Sequence, residues 1–159
     1  MLYLSIMLEI THIATSIRKE VIIEEVTVDD YKVMTKGNFF FDWKLEKDFK
    51  VYKLVLVESN EILGLMSLDH VETETRFEIK LLAVSRQNRG HKKSYEGIAG
   101  NLIAFACREA LKFYGEEAFI SLLPKTRLRV HYMLNYNMRE IGSQLFLHQG
   151  TMRELLKKY

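Results

Sequence analysis

The stretch LLAVSRQNRGHKKSYEGIAGNLIAFACREA, residues 81–110, decides how this chain is read. An apolar run stops at Val84. A loop follows that holds Arg86, Arg89, His91, Lys92 and Lys93, with Gly90 among them. Gly97-Ile98-Ala99-Gly100 then opens a second apolar run. Ile98, Leu102, Phe105, Ala106, Ala110 and Phe113 recur at helical spacing and Gly115 closes the run, so the pattern predicts a helix over 98–114. The order is strand, basic glycine-bearing loop, helix start. A helix N-terminus presents unpaired backbone N–H groups and a partial positive charge. Glycine lets an anion approach that backbone closely, and basic side chains add attraction. Residues 86–101 supply all three features, which suits a polyphosphate and most naturally a diphosphate. A solvated basic connector is the plain alternative from these residues alone.

Working outward, VIIEEV (21–26) is β-branched and short, a strand pattern. Asp29 or Asp30 can cap a short helix running to about Met34. VYKLVLVE (51–58) and EILGLMSLDH (61–70) form a hairpin about a tight turn at Ser59-Asn60, and RFEIKLLAV (76–84) adds a third antiparallel strand. EAFISLL (117–123) is a short buried strand. Pro124 to Asn137 suits a helix, with the proline in its first turn. REIGSQLFLHQ (139–149) returns as strand, and MRELLKKY ends as a helical turn or a strand. Leu2, Ile6, Ile10, Ile13 and Ile17 recur at helical spacing and predict an amphipathic N-terminal helix, with an edge strand as the alternative. The fold class is therefore mixed α/β: a mostly antiparallel sheet with one parallel β-α-β unit over 76–123. A Rossmann domain would alternate strands and helices from its start, and no G-K-[ST] of a Walker loop is present.

Bulk properties set limits. With 159 residues the chain has the length of one domain, enough to close a core. A net charge of +2 confines any basic character to local patches, which counts against a nucleic-acid binder. A single cysteine leaves no internal disulfide and suggests a reducing compartment. Residues 1–17 carry Glu9 and His12, have no basic start and no cleavage site, and are too short to span a bilayer. The expectation is a cytoplasmic protein. The five histidines show no ligand spacing, so no metal is expected.

The ordered set of motifs resembles the GNAT superfamily of N-acetyltransferases, over about residues 20–149. EIKLLAV (78–84) matches the family's strand ending. Arg89-Gly90 matches the start of its R/Q-x-x-G-x-G/A loop, and Gly97 and Ala99 stand at the G-x-G/A positions opening the helix. PKTRLRVHYMLNYNMREIG (124–142) is similar to the family's late helix, corner and strand. The chain departs from the pattern in four ways, one being Asn137-Met138 where Gly-Phe is usual. GHKKSYE lengthens the loop between Arg89 and Gly97. Thr126 stands where an asparagine often contacts the pantetheine arm. Met133 occupies the register of the frequent general-acid tyrosine, with Tyr132 one residue earlier and Tyr136 three later.

The resemblance implies a single acyl-CoA N-acyltransferase-like domain over 1–159, with 1–20 as an N-terminal extension. It implies a GNAT-like sheet whose two parallel strands splay at their C-terminal ends. It implies acetyl-CoA as cofactor, with the pantetheine arm along Leu82, Ala83 and Val84. The diphosphate would lie on the amides of Gly97, Ile98, Ala99, Gly100 and Asn101, and Arg89, Gly90 and Thr126 would complete the cofactor site. Attack on a thioester needs a neutral amine, so a base must take a proton and the departing thiolate must receive one. Glu78 resembles the family's catalytic glutamate, and Tyr132 is the expected general acid, with Tyr136 in reserve. The acceptor would be a small-molecule or peptide amine. A catalytically weak coenzyme A-binding regulator is the second reading and a nucleic-acid-binding domain the third. FFFDW (39–43) suits either an acceptor wall for a cation or core packing. Cys107, among Ala and Phe, suits inert packing. The apolar N-terminal stretch would cover either a homodimer surface or the domain's own core.

Overall fold

The computed structural model describes residues 7–124 and 128–159. Nine strands form one sheet in the order β6-β1-β2-β3-β4-β5-β7-β9-β8, and the strands are Leu8–His12 (β1), Ile17–Glu25 (β2), Lys50–Leu56 (β3), Ile62–Val71 (β4), Arg76–Val84 (β5), Tyr95–Glu96 (β6), Phe119–Leu122 (β7), Arg139–Ile141 (β8) and Gln144–His148 (β9). Four α-helices accompany them among the described residues: Lys36–Phe39 (α1), Ile98–Tyr114 (α2), Arg129–Tyr136 (α3) and Gln149–Lys158 (α4). Among the described residues only β5 and β7 pair in parallel, as the β-α-β reading requires.

The sheet is covered on both faces at its centre. That is why β3 and β4 read as nearly continuous apolar runs rather than alternating ones. On one face α2 contributes Ile98, Leu102, Ile103, Ala106, Cys107 and Ala110, all fully or almost fully buried, to the larger core. On the other face the segment 28–49 supplies Met34, Phe39 and Trp43 against Val51, Leu65 and Ala83. Most of FFFDW is thus core. Asp42 caps the 3-10 turn that follows by accepting from the Lys44 N–H at 3.2 Å. Burial pushes the Cys107 thiol up to about 12, so it stays protonated and inert.

Two small features set the register. Gly64 on β4 lies under α2: a Cβ there would meet Ile98 Cγ2 at 2.7 Å and Leu102 Cδ1 at 2.9 Å. The helix can seat this close only on a residue without a side chain. On β5, Ser67 pairs with Leu81 and Leu68 with Ile79, so Lys80 is an extra residue, a β-bulge. The bulge resets the alternation. Phe77 and Ile79 join the α2-side core, and beyond Lys80 it is Leu82 and Val84 that pack there.

Several expectations are corrected. The N-terminal helix is not formed in the described part of that stretch. Leu8–His12 and Ile17–Glu25 are paired antiparallel strands, with Ile10 and Val21 buried, because edge pairing satisfies more backbone groups than a short surface helix. Leu2 and Ile6 lie outside the described residues. The helix from Asp29 or Asp30 is a 3-10 turn, Val28–Lys32, with Thr27 as its cap, and Asp30 instead accepts from the Thr27 N–H at 2.7 Å. The strand over 139–149 is a hairpin, β8–β9, turned at Gly142 with φ of 62°. The last segment is helix, α4, whose cap His148 accepts from the Gly150 N–H. The late helix is described from Arg129.

Replacing Gly64 with alanine is expected to destabilise the fold by about 1–3 kcal/mol, because the new methyl must displace Ile98 and Leu102 from a packed interface. Urea unfolding reads this as a lower midpoint, and an unchanged midpoint would contradict the close seating of α2.

Candidate active site

The extra residue on β5 coincides with the end of the parallel pairing. The last β5–β7 pair is Ile79 with Leu122, while β5 runs on to Val84. From Lys80 to Val84 the strand edge that faced β7 has no strand partner among the described residues, and a seam opens between the two. A cavity of about 1090 Å³ lies on the α2 side of this seam. Its walls are β1, the end of β5, the loop through Arg89 to Glu96, the first turn of α2, α3 and the end of α4.

The first turn of α2 forms the inner wall. Gly97 adopts φ of 101° and ψ of 4°, a conformation that strains any other residue, and no side chain caps the helix after it. Backbone N–H groups of the first turn therefore open onto the cavity without a side-chain acceptor. Asn101 is 1% exposed and acts structurally: its Nδ2 donates to Gly97 O at 2.8 Å and to Glu9 O at 2.9 Å, tying α2 to β1.

The lengthened loop does not bulge away. It forms two 3-10 turns and then β6, which pairs with β1 through Thr11 with Glu96 and His12 with Tyr95. Asn88, buried, holds the inner turn: its Nδ2 donates to Ser85 Oγ at 2.8 Å and its Oδ1 accepts from the Tyr95 N–H at 3.1 Å. Arg86 donates to Gly37 O at 2.6 Å, so this cation is engaged elsewhere. Arg89 stacks on Phe40, with its guanidinium carbon 3.4 Å from the ring centre, and lines the cavity. The aromatic run thus carries a cation of the loop, a role the sequence reading did not assign to it.

Leu82, Val84, Arg89, Gly90, Gly97, Ile98, Ala99, Asn101 and Tyr132 all line this one cavity. Ala83 does not; its side chain packs in the second core. Gly100 lies under the Tyr159 ring. Thr126 lies outside the described residues. Tyr132 and Tyr136 both face the cavity from α3 and are 6% and 8% exposed. Burial pushes the Tyr132 phenol up, with the Arg89 guanidinium opposing. Burial pushes the Tyr136 phenol up further, aided by Tyr159, Tyr132 and Glu96. Both hold their protons at neutral pH.

Glu78 sits on the opposite face of the sheet, one residue before the last parallel pair. Its Oε2 is 3.2 Å from Lys80 Nζ and its Oε1 is 3.7 Å from Arg76 Nη1, while Arg76 also donates to Ser121 Oγ at 2.6 Å. The cavity and Glu78 therefore flank the seam from its two sides. Alternation places Ser67 and Gln144 on the Glu78 face, and the sequence reading missed both. Ser67 Oγ and Gln144 Oε1 are buried without a hydrogen-bond partner among the described residues. A polar atom deprived of partners is a tertiary property, so no signal in the sequence marks it.

Three solved structures share this architecture. The NatC complex bound to Gag peptide and CoA matches at TM-score 0.59 and 16% identity, over 80% of this chain and 98% of that one. A chimera of the spermidine N-acetyltransferase SpeG from Vibrio cholerae and hSSAT matches at 0.63 and 11%, over 84% and 98%. AtaTR bound with AcCoA matches at 0.59 and 15%, over 85% and 97%. This chain has the GNAT fold. No family model and no curated protein matches the sequence itself. The β5–β7 seam opens at the end of EIKLLAV, and the loop turns into α2 at the Gly97 of GIAGN. Among the described residues no group of three or more His, Cys, Asp or Glu could hold a metal, and no helix is long and apolar enough to cross a membrane.

The buried phenols have a measurable consequence. Above pH ~10 an unfolded tyrosine releases its proton, while the folded Tyr132 and Tyr136 retain theirs. Stability is then intact below pH ~10 and falls as the pH rises further, with Tyr52, pushed up to about 12 by burial, contributing in the same direction. The double variant Tyr132→Phe, Tyr136→Phe is expected to lose stability less steeply from pH ~9 to ~11. Urea midpoints across that range check this, and parallel declines in both proteins would refute it.

Proposed function

We propose that this protein is an acetyl-CoA-dependent N-acetyltransferase that acts on a primary amine. The observation that carries the reading is the coincidence of three features: the opened seam, the uncapped α2 N-terminus, and a cavity joining them. Each alone is common. Together they match a long ligand with an anionic end and an amide-rich arm. The cavity's size and the phenols that line it fit such a ligand.

Acetyl-CoA supplies an acetyl group activated as a thioester. The first-turn amides of Ile98 and Ala99 hold the diphosphate, with Arg89 adding positive charge. The open edge of β5 from Leu82 to Val84 offers backbone N–H and C=O groups to the pantetheine amides, as an added strand would. One of those N–H groups polarises the carbonyl, and its hydrogen bond strengthens as negative charge develops on oxygen. Tyr132, protonated at neutral pH, donates to the leaving sulfur, and Tyr136 stands one helical turn behind it. Glu78 receives the acceptor amine on the far side of the seam. An incoming ammonium displaces Lys80 from Oε2, and the carboxylate takes its proton directly or through a water. The acceptors are small-molecule or peptide amines. One neighbouring structure holds a peptide and another is named a spermidine N-acetyltransferase, so fold alone does not select among acceptors.

The deciding experiment is calorimetric titration with acetyl-CoA, followed by mass spectrometry of a pooled amine and peptide library. Saturable binding together with a product heavier by one acetyl group supports the proposal. Binding with no transfer to any acceptor would instead favour a coenzyme A-binding regulator. In the active protein, Glu78→Gln is expected to lower turnover by about 10²–10⁴-fold while acetyl-CoA affinity is retained, and equal turnover would remove Glu78 from the mechanism.

A further inference from the structure

Gly100 has no side chain, yet the space beside it is filled. A Cβ built there would lie 2.1 Å from Cζ of Tyr159 and 2.4 Å from its hydroxyl oxygen. The phenol that follows α4 therefore occupies the place of a side chain on the first turn of α2. It is held from two directions. Arg108, on α2, donates from Nη2 to the Tyr159 carbonyl oxygen. Met152 and Leu155 anchor α4 in the core it shares with α2. Tyr159 also lines the large cavity, next to the uncapped amides.

A second observation points to a ligand at this spot. Tyr132 and Tyr136 are each more than nine-tenths buried, line the same cavity, and make no hydrogen bond to the described residues. Each phenol borders the cavity, and its hydroxyl can donate to an acceptor seated there. Tyr136 and Tyr159 border the same cavity onto which those backbone N–H groups open. Such a lining suits a ligand rich in acceptor oxygens.

We propose that Tyr159 is a cofactor-binding residue whose hydroxyl donates to the diphosphate held at the first turn of α2. This rests on the cofactor reading above and deepens it. Family motifs do not mark Tyr159, which lies far along the chain and reaches the site only because Gly100 leaves room. The consequence is selectivity: Tyr159 favours a donor that carries the diphosphate over a bare pantetheine thiol.

Calorimetry with coenzyme A and with pantetheine tests this on five proteins: the unaltered chain, Tyr159→Phe, Tyr159→Ala, Gly100→Ala, and Gly100→Ala combined with Tyr159→Ala. Tyr159→Phe keeps the ring and removes the hydroxyl. It is expected to weaken coenzyme A binding by about tenfold and to shrink the preference over pantetheine by the same factor. Gly100→Ala expels the ring and should cost at least as much. In the Tyr159→Ala background Gly100→Ala should add no further loss, because the two changes remove one contact. Coenzyme A binding by Tyr159→Phe that equals or exceeds the unaltered chain overturns the proposal, the latter by showing the ring to be an obstruction. Equal losses for both ligands overturn it too. If the unaltered chain binds neither ligand, the cofactor reading falls and this proposal with it. If it binds and Tyr159→Phe is unchanged, only the present proposal falls.

Discussion

One surplus residue, Lys80, organises the half of this molecule that holds the candidate site. In a regular ladder the side chains of β5 would keep a single alternation from Arg76 to Val84, and its edge could stay paired with β7 throughout. The bulge breaks both regularities at once. It turns Leu82 and Val84 toward α2 and leaves Glu78 on the other face. It also falls where β5 and β7 part company. The seam, the cavity on one side and the carboxylate on the other all follow from that local mismatch between strands.

The seam would be of little use without a fixed helix start beside it. Gly64 lets α2 lie directly on β4, and Gly97 lets the chain turn into the helix without a capping side chain. The lengthened loop is tied down from within by Asn88 and from outside by its pairing with β1. Asn101 closes the arrangement by joining α2 to the β1 backbone. The N-terminal strand thereby becomes a wall of the cavity. The small residues here set distances, and the asparagines supply hydrogen bonds that hold those distances.

Much of the central sheet and of α2 was legible because each carries a strong, local period. The alternation and turn of the β3–β4 hairpin, the EIKLLAV strand and the apolar stripe from Ile98 to Ala110 need no distant partner to be recognised. The N-terminal segment misled for the opposite reason. Its isoleucines fit a helical period as well as a strand, and what decides between them is pairing with β2 and β6, which no local pattern encodes. The same holds for 139–149, where Gly142 breaks one apparent strand into a hairpin. At the candidate site, the helix start at Gly97, Ile98 and Ala99 was legible from its basic glycine-bearing loop, while Leu82 and Val84 were expected from the family resemblance alone. Phe40 under Arg89, and Tyr159 beside Gly100, were not, since each contact joins residues far apart in the chain.

The sequence by itself determined which segments are strands and helices at the core, that one β-α-β crossover exists, and that a basic glycine-bearing loop meets a helix start. These are consequences of short-range sterics, backbone hydrogen bonding and side-chain period, which act within a few residues of each other. Only the tertiary structure decided that the surplus residue is Lys80, that the inserted loop folds back onto β1, and that Tyr132 and Tyr136 of α3 share one cavity with Tyr159, which follows α4. Those outcomes depend on which backbone edges find partners and on how closely α2 can press against Gly64. Such competition among whole elements is settled by packing rather than by any single stretch of chain.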